Sequence, residues 1–187
     1  MTYRRATPQD LPAILKIQQA NFVGNLAPDE RREGFLSATF TREQLEAMAA
    51  DGAVLVASNG DSVAGFLLAS GPDFNHESPL ISRMMRELTR IQHHGKLVAA
   101  QRFFMYGPVC IDRPYRSRGL LRGLYQALLW EVAGKYDVGV AFVAEDNPHS
   151  LRAHVRGLGM AEAGQFEFGG HRYKIVTFIV PERVSSG

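Results

Sequence analysis

The stretch Ile111-Asp112-Arg113-Pro114-Tyr115-Arg116-Ser117-Arg118-Gly119-Leu120-Leu121-Arg122-Gly123-Leu124 decides how this chain folds. It leaves an aromatic and β-branched segment, passes through a basic turn that contains glycine, and enters an apolar stripe at Leu121, Leu124, Leu128 and Val132. That stripe has helical spacing and predicts a helix up to about Tyr136. A strand, turn and helix in this order aim several backbone N–H groups at one spot, and the helix dipole favours negative charge there. In outline the turn is a pyrophosphate cradle, with Arg116, Arg118 and Arg122 placed to add charge-assisted contacts. A solvated basic turn capped by a permissive glycine would read the same, and stays open at this point.

Working outward on the C-terminal side, Val138 to Ala144 is a short apolar run suited to a buried strand. Asn147-Pro148 supplies an N-cap and a first-turn proline for a further helix. Gln165 to Phe168 and Tyr173 to Val180, separated by Gly169-Gly170, predict a closing hairpin. On the N-terminal side, Arg102 to Ile111 is a strand interrupted by Gly107-Pro108, where a bend or bulge is expected. Pro79 to about His94 carries Leu80, Met84, Met85, Leu88 and Ile91 at helical spacing, and residues 71 to 77 form a loop before it. Val54 to Ala57 and Val63 to Leu68 flank Asn59-Gly60, the strongest short hairpin signal in the chain. Thr41 to Gln44 is a capping box for a helix to about Ala50, and Thr7-Pro8-Gln9-Asp10 opens a first helix after a short strand at 2 to 6. The order β-α-α-β-β-α-β-α-β-α-β-β describes an α/β domain around one mixed sheet.

Composition narrows the function. A chain of 187 residues fits one domain, 1–187, and its 45% hydrophobic and 21% charged residues are those of a globular protein. No window reaches the run of about 18 apolar residues that a membrane span needs, and Met1 to Arg5 lacks the apolar core of a secretory signal, so a cytoplasmic location is expected. The single cysteine, Cys110, excludes an intrachain disulfide and a thiolate-rich metal site. A net charge of +2 is too weak a bias for nucleic acid, so any anion site is local. His93 and His94 are adjacent and would point to different helix faces, and His149 and His171 lack a neighbouring ligand, so no metal is assigned. Met84, Met85, Phe103 and Phe104 read as core, and the exposed hairpin edges allow a homodimer.

The turn resembles the acyl-CoA-binding motif of the GNAT acetyltransferases, whose core is Gln/Arg-x-x-Gly-x-Gly/Ala, here Arg116-Ser117-Arg118-Gly119-Leu120-Leu121. Leu121 stands where that family has a small residue. Asn147-Pro148-His149-Ser150 and Leu158-Gly159-Met160 resemble the family's later motif, an Asn opening a helix that ends in Leu-Gly-Phe. The resemblance extends over nearly the whole chain, with residues 71 to 101 the least typical part. It implies the GNAT fold: an α/β domain with one mixed, mostly antiparallel sheet, a splayed pair of parallel central strands, and flanking helices.

It also implies acetyl-CoA, or another acyl-CoA, as cosubstrate and direct attack by an amine, from a small molecule or a protein, on the thioester. Cofactor contacts are then expected from Val109, Cys110 and Ile111 through the backbone of the bent strand, from Arg116, Ser117, Arg118, Gly119, Leu120, Leu121 and Arg122 at the turn, and from Asn147 and Ser150. Cys110 itself reads as a small buried hydrophobe, with no His or acid defined as its partner. Glu145 shares a strand side with Asn147 and is the candidate base. The family's Tyr acid falls on His154, which shares a helix face with Asn147 and Ser150, with Tyr125 and Tyr115 as substitutes. The departures at Leu121 and His154 keep a second reading open, an acyl-CoA-binding or sensor module without transfer.

Overall fold

A computed structural model describes residues 1–74 and 78–182, so the part of the expected 71 to 77 loop at positions 75 to 77 lies outside the described residues. In chain order the elements are β1 (Thr2–Arg5), α1 (Leu11–Asn21), α2 (Arg42–Asp51), β2 (Ala53–Asn59), β3 (Ser62–Ser70), α3 (Pro79–Leu88), β4 (Gln92–His93), β5 (Lys96–Leu97), β6 (Phe103–Ile111), α4 (Leu120–Val132), β7 (Val138–Ala144), α5 (Pro148–Arg152), β8 (Ala161–Phe168) and β9 (His171–Ile179). Seven strands form one mixed sheet in the order β1-β2-β3-β6-β7-β9-β8, with β6 and β7 the parallel pair. By their contacts the residues group into two compact units, Met1–Ser70 with Tyr106–Glu131, and Gly71–Met105 with the chain from Val132 onward.

In the first unit, β1, β2 and β3 form an antiparallel meander, and α1 and α2 pack on β3 and β2. Every β2 residue except Asn59 is buried, which is why Ala53 to Ala57 reads as a continuous apolar run and not an alternating one. Ile14, Leu45, Met48, Val56, Phe66, Leu124 and Leu128 are almost entirely sequestered from water. Helix α4 comes so close to β1 that a Cβ at Gly123 would lie 2.0 Å from the Tyr3 ring, so any larger residue there would have to displace that ring. Trp130, the chain's single tryptophan, stands on the same helix with 68% of its surface exposed.

The loop entering α1 is fixed by Asp10. Arg4 donates from Nη1 to Oδ2 at 2.7 Å and from Nη2 to Oδ1 at 3.0 Å, and the backbone N–H of Thr7 donates to Oδ2 at 2.7 Å. These bonds, that of Arg4 above all, hold the buried carboxyl at about 2, below the usual Asp value.

In the second unit, β7 and β8 both pair antiparallel with β9, and Phe103, Phe104 and Met105 pair in parallel with Val138, Gly139 and Val140. Phe104 packs on Tyr136 and Phe178 at ring-centroid distances of 5.2 and 5.8 Å. Phe142, Phe166 and Tyr173 form a second aromatic group, with Phe166 and Tyr173 stacked at 5.1 Å. The guanidinium of Arg83 on α3 lies over Phe166 at 6.0 Å, and Arg83 and Arg90 together pair with the buried Glu87.

Two expectations need correction. The helix from Pro79 ends at Leu88, not near His94: the Thr89 hydroxyl donates to the Arg86 carbonyl, and residues 92 to 97 form the small β4–β5 ribbon. Leu88 and Ile91 lie three apart and mimic a continuing helix, while burial of Ile91 and His93 with Gln92 exposed between them is the alternation of a strand. His93 is thereby buried against β9, its Nδ1 2.8 Å from Thr177 Oγ1, and burial depresses its pKa. Strand β8 starts at Ala161, four residues earlier than its composition suggests, because pairing with β9 holds the weak strand formers Ala161 to Gly164 extended.

Asp10→Asn tests the α1 entry. The carboxyl's folded value lies below its unfolded value of about 3.9, so its contribution is present above that value and lost as pH falls toward 2. The variant should be less stable than the parent by about 1 to 2 kcal/mol at pH 7, with the gap closing between about pH 4 and pH 2 in denaturation curves recorded across that range.

Candidate cofactor-binding turn and associated residues

The turn in the first unit begins where β6 meets β3: the Asp112 N–H donates to the Ala64 carbonyl at 2.9 Å. The Asp112 carboxylate accepts the N–H of Arg113, and Arg113–Tyr115 form a single 3-10 turn. Ser117 and Gly119 then both adopt left-handed backbone, with φ of 60° and 78°. Two such residues one apart turn successive N–H groups toward a common concave side, the arrangement of an anion-binding nest. Among the described residues, no hydrogen bond consumes the N–H groups of Ser117, Arg118, Gly119, Leu120 or Leu121, and the last two open α4. A Cβ at Gly119 would meet nothing within 4 Å, so glycine is required there by conformation and not by crowding.

The three arginines of the turn lie in different settings. Arg116 folds inward: Nε donates to the Ile111 carbonyl at 3.2 Å, Nη2 to Asn21 Oδ1 at 2.6 Å and Nη1 to Glu33 Oε2 at 3.1 Å. It fastens the turn to the end of α1 and to the segment beyond it. Arg118 lies over the Tyr115 ring at 5.8 Å, and Arg122 is exposed on the first turn of α4. Leu120 is buried and anchors the helix start, while Leu121 is half-buried.

Along β6, Val109 and Ile111 are half-buried and Cys110 is buried. Burial pushes the Cys110 thiol up to about 12, so it is no thiolate nucleophile at neutral pH. The parallel ladder with β7 uses Phe103 to Met105, and Gly107-Pro108 follows it directly. The bend expected at Gly107-Pro108 thus coincides with the point where that ladder stops.

The second unit carries the other expected residues. Asn147 is buried and caps α5, its Oδ1 accepting the Ser150 N–H at 3.3 Å. The Ser150 carbonyl in turn lies 2.7 Å from His154 Nδ1, and the Ser150 hydroxyl 3.3 Å from the same nitrogen. Spacings of three and four do bring these three side chains together. After α5 the chain widens into a π-helical turn, Ala153–Gly157, with His154 buried inside it.

Both residues expected to be catalytic are engaged by neighbours. A ring nitrogen this close to a carbonyl carries the proton, so His154 Nδ1 is the donor, and acid catalysis would need a second proton on the ring. Burial lowers the imidazole pKa and disfavours that proton at neutral pH. The Glu145 carboxylate is paired with Arg172 Nε at 2.6 Å and, more loosely, with Lys174 Nζ at 3.9 Å. Tyr125, one of the substitute acids, packs beside Tyr106 on the first unit, and burial raises its phenol to about 12. Among the described residues, no group of three potential ligands could hold a metal ion, and no helix is long and apolar enough to cross a membrane.

Asn21, Glu30, Glu33 and Arg113 belong to the turn's surroundings without having been singled out in the sequence. Arg113 pairs with Glu30 at 2.8 Å, and the Arg116 partners lie 83 and 95 residues away. Long-range pairs of this kind have no signature in local spacing.

No family model matches the sequence, and no curated protein sequence matches it. Solved structures do. A ribosomal-protein-alanine N-acetyltransferase from Brucella melitensis superposes with a TM-score of 0.62 at 22% identity, covering 96% of this chain and 99% of that one. The protein yncA from Salmonella typhimurium, solved with its cofactor acetyl-CoA, gives 0.62 at 19% identity over 100% of this chain and 98% of that one. A GNAT-family protein from Desulfovibrio desulfuricans gives 0.63 at 15% identity over 96% and 99%. At these identities the likeness establishes the fold, and this chain has the fold of the GNAT acetyltransferases.

The role of His154 is open to a direct test. His154→Asn keeps a donor near the Ser150 carbonyl but removes the imidazole. If His154 orients the α5 turn, this variant should retain at least about half of the parent's turnover while His154→Ala loses more. A loss of about 10²-fold in both variants, confined to the chemical step, would instead identify a general acid.

Proposed function

We propose that this chain moves an acetyl or short acyl group from acyl-CoA to an amine, by direct attack within a ternary complex. The observation that carries this reading is the run of uncommitted N–H groups from Ser117 to Leu121, shaped by two left-handed residues at the β6–α4 junction of a fold whose solved neighbour holds acetyl-CoA. The turn would receive the pyrophosphate, and the backbone of Val109, Cys110 and Ile111 would pair with the pantetheine arm as an added strand does.

In the reaction the amine lone pair attacks the thioester carbonyl carbon, and a β6 N–H would polarise its oxygen. Collapse of the tetrahedral intermediate breaks the C–S bond. The nitrogen gives up its proton and the departing thiolate takes one, so the products are an amide and free CoA. The acceptor is an amine of a small molecule or of a protein. Glu145 is engaged by Arg172, and burial disfavours the second proton that His154 would need as an acid; these two observations support a second reading, a module that holds acyl-CoA without transferring the acyl group.

Calorimetric titration with acetyl-CoA, followed by a thiol-release assay across an amine panel, separates the two. Transfer predicts binding and amine-dependent thiol release; binding with no release for any amine supports the holding module. In either case Gly119→Val should lower acetyl-CoA affinity at least about tenfold, because a β-branched residue resists the 78° φ that aims the amides. Unaltered affinity in a folded Gly119→Val protein would remove the turn from the site.

A further inference from the structure

The segment between α1 and α2 is closed at its base and pinned at its tip. At the base, the Val23 N–H donates to the Leu36 carbonyl at 2.9 Å and the Leu36 N–H to the Asn21 carbonyl at 2.8 Å. At the tip, Glu30–Glu33 form a 3-10 turn whose two carboxylates reach back to Arg113 and Arg116, on either side of the short turn that leads into the amide run. A compact loop with tied ends can therefore change its tip without disturbing its roots.

The contacts of Arg116 are unequal. Nε and Nη2 are held by neutral oxygens, those of Ile111 and Asn21, which fix the guanidinium plane whatever the loop does. Nη1 alone meets a carboxylate, that of Glu33, whose side chain is 68% exposed, with a longer bond of 3.4 Å to the Glu33 carbonyl. Arg113 and Glu30 likewise pair at the surface, with side-chain exposures of 44% and 36%, while the second Glu30 oxygen accepts the Ala27 N–H at 2.9 Å within the loop. Exposed pairs of this kind are weak and easily exchanged for a better anion. A phosphate seated on the neighbouring amides, with greater charge and more acceptor oxygens, is such an anion.

We infer that Glu30 and Glu33 act as an internal counter-anion for the turn, occupying Arg113 and Arg116 until the phosphates of an acyl-CoA displace them and release the loop tip. The inference rests on the acyl-CoA reading given above. It makes cofactor entry and the state of the 24 to 35 loop one linked equilibrium: whatever holds the glutamates on the arginines opposes the cofactor, and the cofactor frees the loop. Arg116 is then a positioning residue before the cofactor arrives and a phosphate ligand afterwards, with its plane unchanged.

The test is the acetyl-CoA affinity of a Glu30→Gln/Glu33→Gln double variant against the parent at low salt. Removal of two competing carboxylates should tighten binding by about two- to tenfold, the range that two exposed pairs span, with little change in thermal midpoint. If the pairs only brace the turn, their loss weakens binding; unchanged or weaker affinity overturns the inference. Hydrogen exchange on the parent supplies an independent readout. The amides of Glu30, Arg31, Arg32 and Gly34, bonded within the loop tip, should exchange faster when acetyl-CoA is saturating, and unchanged or slower exchange again overturns it. Failure of the parent to bind acetyl-CoA at all is a different result, which overturns the acyl-CoA reading and this inference together.

Discussion

The guanidinium of Arg116 ties together three places that the chain visits far apart in sequence: the end of β6 at Ile111, the end of α1 at Asn21, and the loop tip at Glu33. The left-handed Ser117 and Gly119 follow directly after that tie, and Gly119 is not crowded into its conformation by neighbours. Local preference alone does not fix a left-handed serine, which must be determined by its surroundings. Arg116 thus turns inward, while the N–H groups of Ser117 to Leu121 stay uncommitted among the described residues.

The second unit is organised by other means. Its strands are locked by long antiparallel ladders and by aromatic groups, and its polar residues are consumed locally, Asn147 by the Ser150 N–H, His154 by the Ser150 carbonyl and Glu145 by Arg172. Titratable groups that spend their hydrogen-bonding capacity on neighbours are structural before they are chemical.

Much of this was legible in the sequence because it follows from periodicity and caps. The Asn59-Gly60 turn, the Thr41 capping box, the buried run of β7 and the Asn147 cap are each written within a few residues, and the structure forms each of them. The glycine-bearing turn was equally plain, as was the shared face of Asn147, Ser150 and His154. What spacing conceals is where a long side chain goes. Arg116 and Arg118 look alike in the sequence, yet one is half-buried in a network with partners up to 95 residues distant and the other rests on a nearby ring. The end of α3 was obscured for a different reason: Leu88 and Ile91 satisfy the helical period, and the strand alternation that follows is only a few residues long.

The exposure of Trp130 has a practical side. An indole already bathed in water in the native protein emits much as it does in the denatured chain, so the intrinsic fluorescence of this protein is nearly blind to unfolding. The same position on α4, ten residues beyond the helix start at Leu120, leaves that emission open to local events on the helix surface. Circular dichroism is therefore the better measure of folding for this protein.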